Sequence, residues 1–171
     1  GLAAHVQTRD HDLIFDTGPA FSPDANSGNR ILVPYLRAAG VRQLDGLIIS
    51  HQDKDDLGGA ESLLDAVPTG WLLSSLDAAV EPQHAPSSTH CRDGQHWAWD
   101  GVRFEMLHPV IAADADPTPK TNDMSCVLRV AATGGVALLA GDIERPQEEA
   151  LLARGADLRA DVLLVPHHGS K

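Results

Sequence analysis

Residues 44–59 read LDGLIISHQDKDDLGG, and this stretch decides the fold. Its first seven residues run into three consecutive large apolar side chains, Leu47, Ile48 and Ile49. Such a run predicts a strand covered on both faces. Residues 58–67 predict a helix closed by Pro68. Between the two lie His51, Asp53, Asp55 and Asp56, so these groups sit on the loop at the carboxyl end of a strand. Alternation along an extended segment aims His51, Asp53 and Asp55 in one direction, and Asp56 turns off where the helix begins. Gly58-Gly59 lets the backbone pass close to whatever those side chains hold. A solvated acidic turn with an N-capping Asp is the competing reading of the same letters.

Two other stretches share this form. Residues 138–144 (LLAGDIE) put Asp142 just after an apolar strand, and residues 163–170 (LLVPHHGS) put His167 and His168 after another. Taken singly, Asp142 is a turn or helix cap and a lone His is structural. Together, three strands that each end in Asp or His are what a two-metal site requires, because its ligands must converge from separate elements. A shared carboxylate such as Asp142 can bridge ions about 3.5–4 Å apart.

The remaining elements alternate. Residues 13–16 form a short strand, and residues 32–39 a helix with Pro34 in its first turn and Gly40 as its stop. Residues 71–75 are a strand. Residues 96–107 are a hairpin turning at Asp100-Gly101. Residues 126–132 and 136–140 pair around Thr133-Gly134-Gly135. Residues 146–154 are a helix stopped by Gly155, and residues 161–166 a last strand. Residues 77–88 and 112–121 are surface loops. Strands at hairpin spacing mixed with helices that follow strands predict a layered α/β sandwich.

The chain has 171 residues, 43% hydrophobic and 22% charged, which is ordinary for one globular domain over residues 1–171. No apolar run reaches the roughly 18 residues that cross a bilayer. Cys91 and Cys126 form no CxxC pair and are expected to be small core or loop residues, not a disulfide scaffold. The net charge of −11 opposes tight, non-specific binding of nucleic acid. Trp71, Trp97 and Trp99 are expected as core or strand-surface aromatics, and His108 as structural or surface. His5, His11, His84, His90 and His96 take no role.

These residues resemble the metallo-β-lactamase superfamily, whose members share an αββα sandwich and the pattern HxHxDH, then a His, an Asp and a His at later strand ends. Within it the chain looks most like the ComEC family of competence proteins, which internalise DNA in bacteria and carry SHxDxDHxGG. The likeness extends through Asp16-Thr17-Gly18, residues 97–109 (WAWDGVRFEMLHP), residues 122–128 (NDMSCVL), Gly141-Asp142 and His167-His168-Gly169-Ser170. The resemblance implies that His51 and Asp53 hold one divalent ion and Asp55 a second, with Asp142 shared and His167 or His168 closing the site. Asn122 or Asp123 stands where the superfamily has its middle His. Asp56 replaces a family His and offers an oxygen instead of a nitrogen to the metal, which changes the charge and softness of the set. Two ions, zinc or manganese, are implied.

The implied chemistry is hydrolysis of a phosphodiester in DNA during internalisation. Asp55 would orient water as well as bind metal, and His168 would donate a hydrogen bond to developing charge. Lys54, Asn122 and Ser170 would contact the substrate. The implied partners are a DNA strand and the membrane channel domain of a parent chain, which would attach this soluble domain to a bacterial inner membrane. The family domain continues past Lys171, so the chain is expected to be a piece truncated at its C-terminal end. Two other readings compete. One is a phosphodiesterase for small molecules. The other is an inactive binding or regulatory module beside the channel, favoured by Asp56, Asn122 and the net charge of −11.

Overall fold

The computed structural model describes residues 1–110 and 120–169, except the side chain of His168. Most of the loop expected over residues 112–121, and Ser170, therefore lie outside the described residues. The chain forms two compact units, Gly1–His90 and Cys91–Lys171.

In the first unit the strands are β1 (Ala4–Gln7), β2 (Asp12–Phe15), the short pair β3 (Ala20–Ser22) and β4 (Ala25–Asn26), β5 (Leu44–Ile49), β6 (Thr69–Ser74) and β7 (Ser87–His90). A wide helical turn over Gly28–Leu32 leads into α1 (Val33–Ala38), followed by α2 (Lys54–Leu57) and α3 (Ala60–Ala66). The main sheet has the order β1-β2-β5-β6-β7. Strand β1 is antiparallel to β2, and the other neighbours are parallel. Strand β5 is central and its Leu47, Ile48 and Ile49 are wholly buried, as the continuous apolar run requires. Leu36 of α1 and Leu63 of α3 pack with Leu47, Ile49 and Leu72 in one core. Across the β5–β6 pair, Gly46 makes room for the Trp71 ring opposite it.

The helix expected over residues 58–67 begins earlier and is divided. Asp53 is extended (φ −72°, ψ 142°), and Asp55 and Asp56 follow in the first turn of α2, where carboxylates suit the positive end of a helix. The division falls at Gly58-Gly59. A Cβ on Gly59 would lie 2.5 Å from both the Gly28 nitrogen and the Thr17 carbonyl oxygen, so these glycines admit a neighbouring backbone segment. Strand β7 occupies the end of the expected loop over residues 77–88. Its sequence, SSTH, is exposed throughout and carries no apolar alternation to betray it.

In the second unit β8 (His96–Trp99) and β9 (Val102–His108) form the expected hairpin, with Asp100 at φ 52° and Gly101 at φ 83° as a two-residue primed turn demands. Strands β10 (Val127–Ala132) and β11 (Gly135–Leu139) pair with Ala132 opposite Gly135, so the turn is Thr133-Gly134. Helix α4 (Arg145–Ala153) starts in a reciprocal capping box between Glu144 and Gln147, and β12 (Val162–Leu164) runs parallel to β11. The sheet order is β12-β11-β10-β9-β8. Trp97 stacks on Phe104 with centroids 5.1 Å apart, and Trp99 meets both rings edge-on, which accounts for them as strand aromatics.

Cys91 and Cys126 correct the sequence expectation: they form a disulfide across a separation of 35 residues, and both are buried. Spacing alone does not reveal the pairing, because it depends on where the chain returns. Asp93 donates its N–H to the Pro109 carbonyl at 2.8 Å, and Gly94 to that of Met106 at 3.0 Å. These bonds lay residues 91–95 along the end of β9, beside the start of β10.

Candidate metal centre

In the first unit the site is built at the ends of two parallel neighbours, β2 and β5. After Phe15 the chain turns at Asp16 in the left-handed region (φ 57°), with its N–H on the Ile48 carbonyl at 2.8 Å. A positive φ is costly for a residue with a side chain and persists only where surrounding contacts demand it. Here they do. The Asp16 carboxylate accepts the Ser50 N–H and the Ser50 hydroxyl, each at 2.7 Å. With its proton committed to Asp16, the Ser50 oxygen can only accept from His51 Nδ1, 2.8 Å away. Nδ1 therefore carries the hydrogen and Nε2 the lone pair. A carboxylate acting through a hydroxyl thus sets the tautomer that a metal-binding imidazole needs.

His51 Nε2 lies 3.6 Å from Asp56 Oδ2 and 3.8 Å from Asp53 Oδ2, beyond hydrogen-bonding distance. Donors bonded at about 2.0–2.2 Å to one tetrahedral ion are about 3.4 Å apart, so this spacing suits a shared cation. A neutral imidazole nitrogen with carboxylate oxygens is also a donor set that divalent ions accept. His51 and Asp56 are buried, whereas the Asp53 side chain is 43% exposed. Thr17 holds Asp56 in place by donating both its N–H and its hydroxyl to the Asp56 carbonyl, each at 2.8 Å, and Leu2 N–H reaches Asp56 Oδ1 at 3.1 Å. Asp53 occupies the N-cap of α2 without a side-chain capping bond, so the capping alternative does not account for its carboxylate. The expected alternation of His51, Asp53 and Asp55 stops at Asp53 because α2 begins at Lys54. Asp55 and the exposed Lys54 lie in its first turn.

In the second unit Asp142 is buried beyond the end of β11, after Gly141 at φ 55°. Its N–H donates to Ser125 Oγ at 3.3 Å. The cap of α4 is Glu144, so the capping role open to Asp142 belongs to another residue. The Ser125 carbonyl accepts His108 Nδ1–H at 2.7 Å. Burial lowers the pKa of His108 below 6.5, outweighing the opposite pull of the Ser125 carbonyl, so the ring is neutral at pH 7. The His167 N–H reaches the Gly141 carbonyl at 3.3 Å, and its Nδ1 lies 3.9 Å from Glu144 Oε1. Asn122 donates to the same Glu144 oxygen at 3.4 Å. Beside them is a cavity of about 580 Å³ lined by residues including Glu144, Arg145 and His167. Ser170 and the side chain of His168 lie outside what is described.

The described structure thus groups His51, Asp53 and Asp56 in one unit, and Asn122, Glu144 and His167 in the other. Sequence reasoning missed Asp16, Thr17 and Ser50 as supports, although Asp16-Thr17-Gly18 after an apolar strand was visible. It also missed Ser125 and Glu144, which carry no local signal. On the surface of the first unit, His84 Nδ1 lies 2.6 Å from Asp65 and 3.8 Å from Glu61, an exposed ion-pair group.

The family model of the metallo-beta-lactamase superfamily matches residues 3–171. The chain belongs to this superfamily. Its members usually bind divalent metals, and the pairing of His51 with Asp56 is consistent with that habit. The chain is 40% identical over 171 residues to competence protein ComA of Neisseria gonorrhoeae, covering 99% of the chain and 22% of that protein. It is 34% identical to recombination protein 2 of Haemophilus influenzae, covering all of the chain and 20% of that protein. The chain therefore spans about a fifth of the length of these relatives. The MIM-2 metallo-beta-lactamase superposes with a TM-score of 0.66 at 20% identity, over 96% of this chain and 69% of that one. The expected fold class, the metallo-β-lactamase fold, is thereby established. Among the described residues no helix is long and apolar enough to cross a membrane.

Proposed function

We propose that this chain is the metal-dependent hydrolase domain of a DNA-uptake protein, cleaving phosphodiester bonds in DNA as it is internalised. The observation that carries the reading is the Asp16–Ser50–His51 relay, which presents a lone pair on His51 Nε2 toward the carboxylates of Asp53 and Asp56. Similarity to competence proteins supports DNA as the substrate. The residues that would hold divalent ions in this proposal are His51, Asp53, Asp55 and Asp56 of the first unit and Asp142 and His167 of the second. The oxygen-rich set suits manganese as well as zinc. Divalent ions bound there supply Lewis-acid polarisation of a phosphoryl oxygen and acidify water.

The chain's own residues do the rest. Asp16 and Ser50 keep the hydrogen of His51 on Nδ1. Asp55 orients the attacking water, and His168 donates toward the charge that develops on the phosphoryl group. Lys54, Asn122 and Ser170 hold the phosphodiester. In the parent protein the domain is attached to a membrane channel at the bacterial inner membrane.

The test is metal titration of the chain with Zn²⁺ and Mn²⁺, followed by hydrolysis assays on single-stranded DNA, duplex DNA and a bis-aryl phosphodiester. About two equivalents of metal and DNA cleavage abolished in Asp142→Ala are expected. Cleavage of the small diester alone makes the domain a small-molecule phosphodiesterase. The net charge of −11 favours a second reading, a binding or regulatory module beside the channel. Less than one equivalent of metal and no hydrolysis would decide for it.

A further inference from the structure

We propose that the Cys91–Cys126 disulfide is a positioning element for Asp142, acting through Ser125, so that the metal centre assembles fully only on the oxidised chain. The positioning claim stands on the geometry of the second unit alone. The consequence for metal rests on the reading of Asp142 as a ligand given above.

Asp142 lies past the last residue pair of the β10–β11 ladder, Leu128 opposite Leu139. Its backbone is held instead by the hydroxyl of Ser125, which accepts the Asp142 N–H at 3.3 Å. Ser125 is wholly buried and is a junction of three elements. Besides Asp142 it binds His108 at the end of β9 through its carbonyl at 2.7 Å, and the Asn122 carbonyl through its N–H at 3.1 Å. Its position therefore bears directly on that of Asp142, whose N–H it receives.

The neighbouring residue, Cys126, anchors this junction. The β9–β10 register shifts there, between Val127 and Leu128. The disulfide adds a covalent tie from Cys126 to Cys91. The segment after Cys91 is itself pinned. Asp93 N–H binds the Pro109 carbonyl at 2.8 Å, and the Asp93 carboxylate pairs with Arg154 at 2.8 Å. Arg154 in turn donates to the Leu107 carbonyl. The crosslink thus joins a braced segment to the residue beside Ser125. When a dithiol reduces it, two cysteine thiols form and the dithiol becomes a disulfide. Ser125 is then held by hydrogen bonds alone. A compartment that preserves disulfides is the one in which such a centre assembles.

Amide hydrogen exchange of the full chain tests this without metal. The oxidised chain is compared with the chain treated with a phosphine reductant, which takes up one water's oxygen as it converts the disulfide to two thiols. Ser125→Ala is measured alongside. Exchange at Asp142 at least tenfold faster in the reduced chain and in Ser125→Ala, with Leu151 in α4 unchanged, is expected. Unchanged exchange at Asp142, or equal acceleration at Asp142 and Leu151, overturns the proposal; the latter makes the bond a general staple. Mn²⁺ titration of the same samples should show affinity at least tenfold weaker after reduction, and equal affinity overturns the metal consequence. If the oxidised chain binds neither Mn²⁺ nor Zn²⁺, the ligand reading fails while the exchange data still decide the positioning claim.

Discussion

At the residue scale, the proton on His51 is controlled by Asp16 through one hydroxyl. Asp16→Asn keeps the shape but reverses the donor order. The amide NH₂ would face the Ser50 oxygen, the hydroxyl would turn its hydrogen toward His51 Nδ1, and Nε2 would take up the ring proton. Metal affinity should fall about 10–100-fold, the usual effect of losing such a supporting group, as measured by Zn²⁺ or Mn²⁺ titration. A change smaller than threefold would mean the relay does not govern the lone pair. His108 supplies a second prediction. Its pKa is lowered below 6.5, mainly by burial, so the unfolded chain binds more protons than the folded one just below that value. The stabilisation is complete above about pH 6.5 and is lost as pH falls toward the lowered folded-state value, at up to about 1.4 kcal/mol per pH unit. Urea unfolding between pH 5 and 7.5 should show this slope in the native chain and a flatter one in His108→Gln.

At the scale of elements, the Gly58-Gly59 pair, expected to let the backbone pass close to whatever the neighbouring side chains hold, has backbone of residues 17–28 against it. It divides α2 from α3 and lets the chain lie against residues 17–28. The atoms a Gly59 Cβ would meet at 2.5 Å are backbone atoms, which cannot swing aside. Gly59→Ala should therefore destabilise by about 1–3 kcal/mol, read from the urea midpoint. It should also weaken metal binding, because Thr17 holds the Asp56 carbonyl. The helix boundary matters for the same site. By starting at Lys54, α2 turns Asp56 toward His51, an arrangement that strand-like alternation does not anticipate.

At the scale of the whole molecule, the disulfide is a covalent source of stability. The disulfide closes a loop of 35 residues, for which chain entropy suggests about 3–4 kcal/mol. The Cys91→Ser/Cys126→Ser pair of substitutions should lower unfolding free energy by that order. Metal bound as proposed above would add to this. Metal at 100 times its dissociation constant should stabilise the chain by about 2.7 kcal/mol, and Asp142→Ala should remove most of that gain in thermal unfolding. The net charge of −11 adds a further expectation. Metal-free chain should not bind single-stranded DNA measurably at about 0.15 M salt, and added Mn²⁺ should raise binding, by fluorescence anisotropy.

Local letters determined the central strand β5, the Asp100-Gly101 hairpin, the stop of α1, and the family. Each of these depends on residues adjacent in the chain: an apolar run, a turn dipeptide, a helix-stopping glycine, a cluster of His and Asp. Tertiary structure alone decided the Cys91–Cys126 bond, the pairing of the polar edge strand β7, and the roles of Asp16, Ser50 and Ser125. Asp16 meets Ser50 only because β2 and β5 run parallel in register and end side by side. Ser125 meets Asp142 only because the chain returns through β10 and β11. Such contacts depend on where distant segments come to rest, and spacing along one chain carries no record of that.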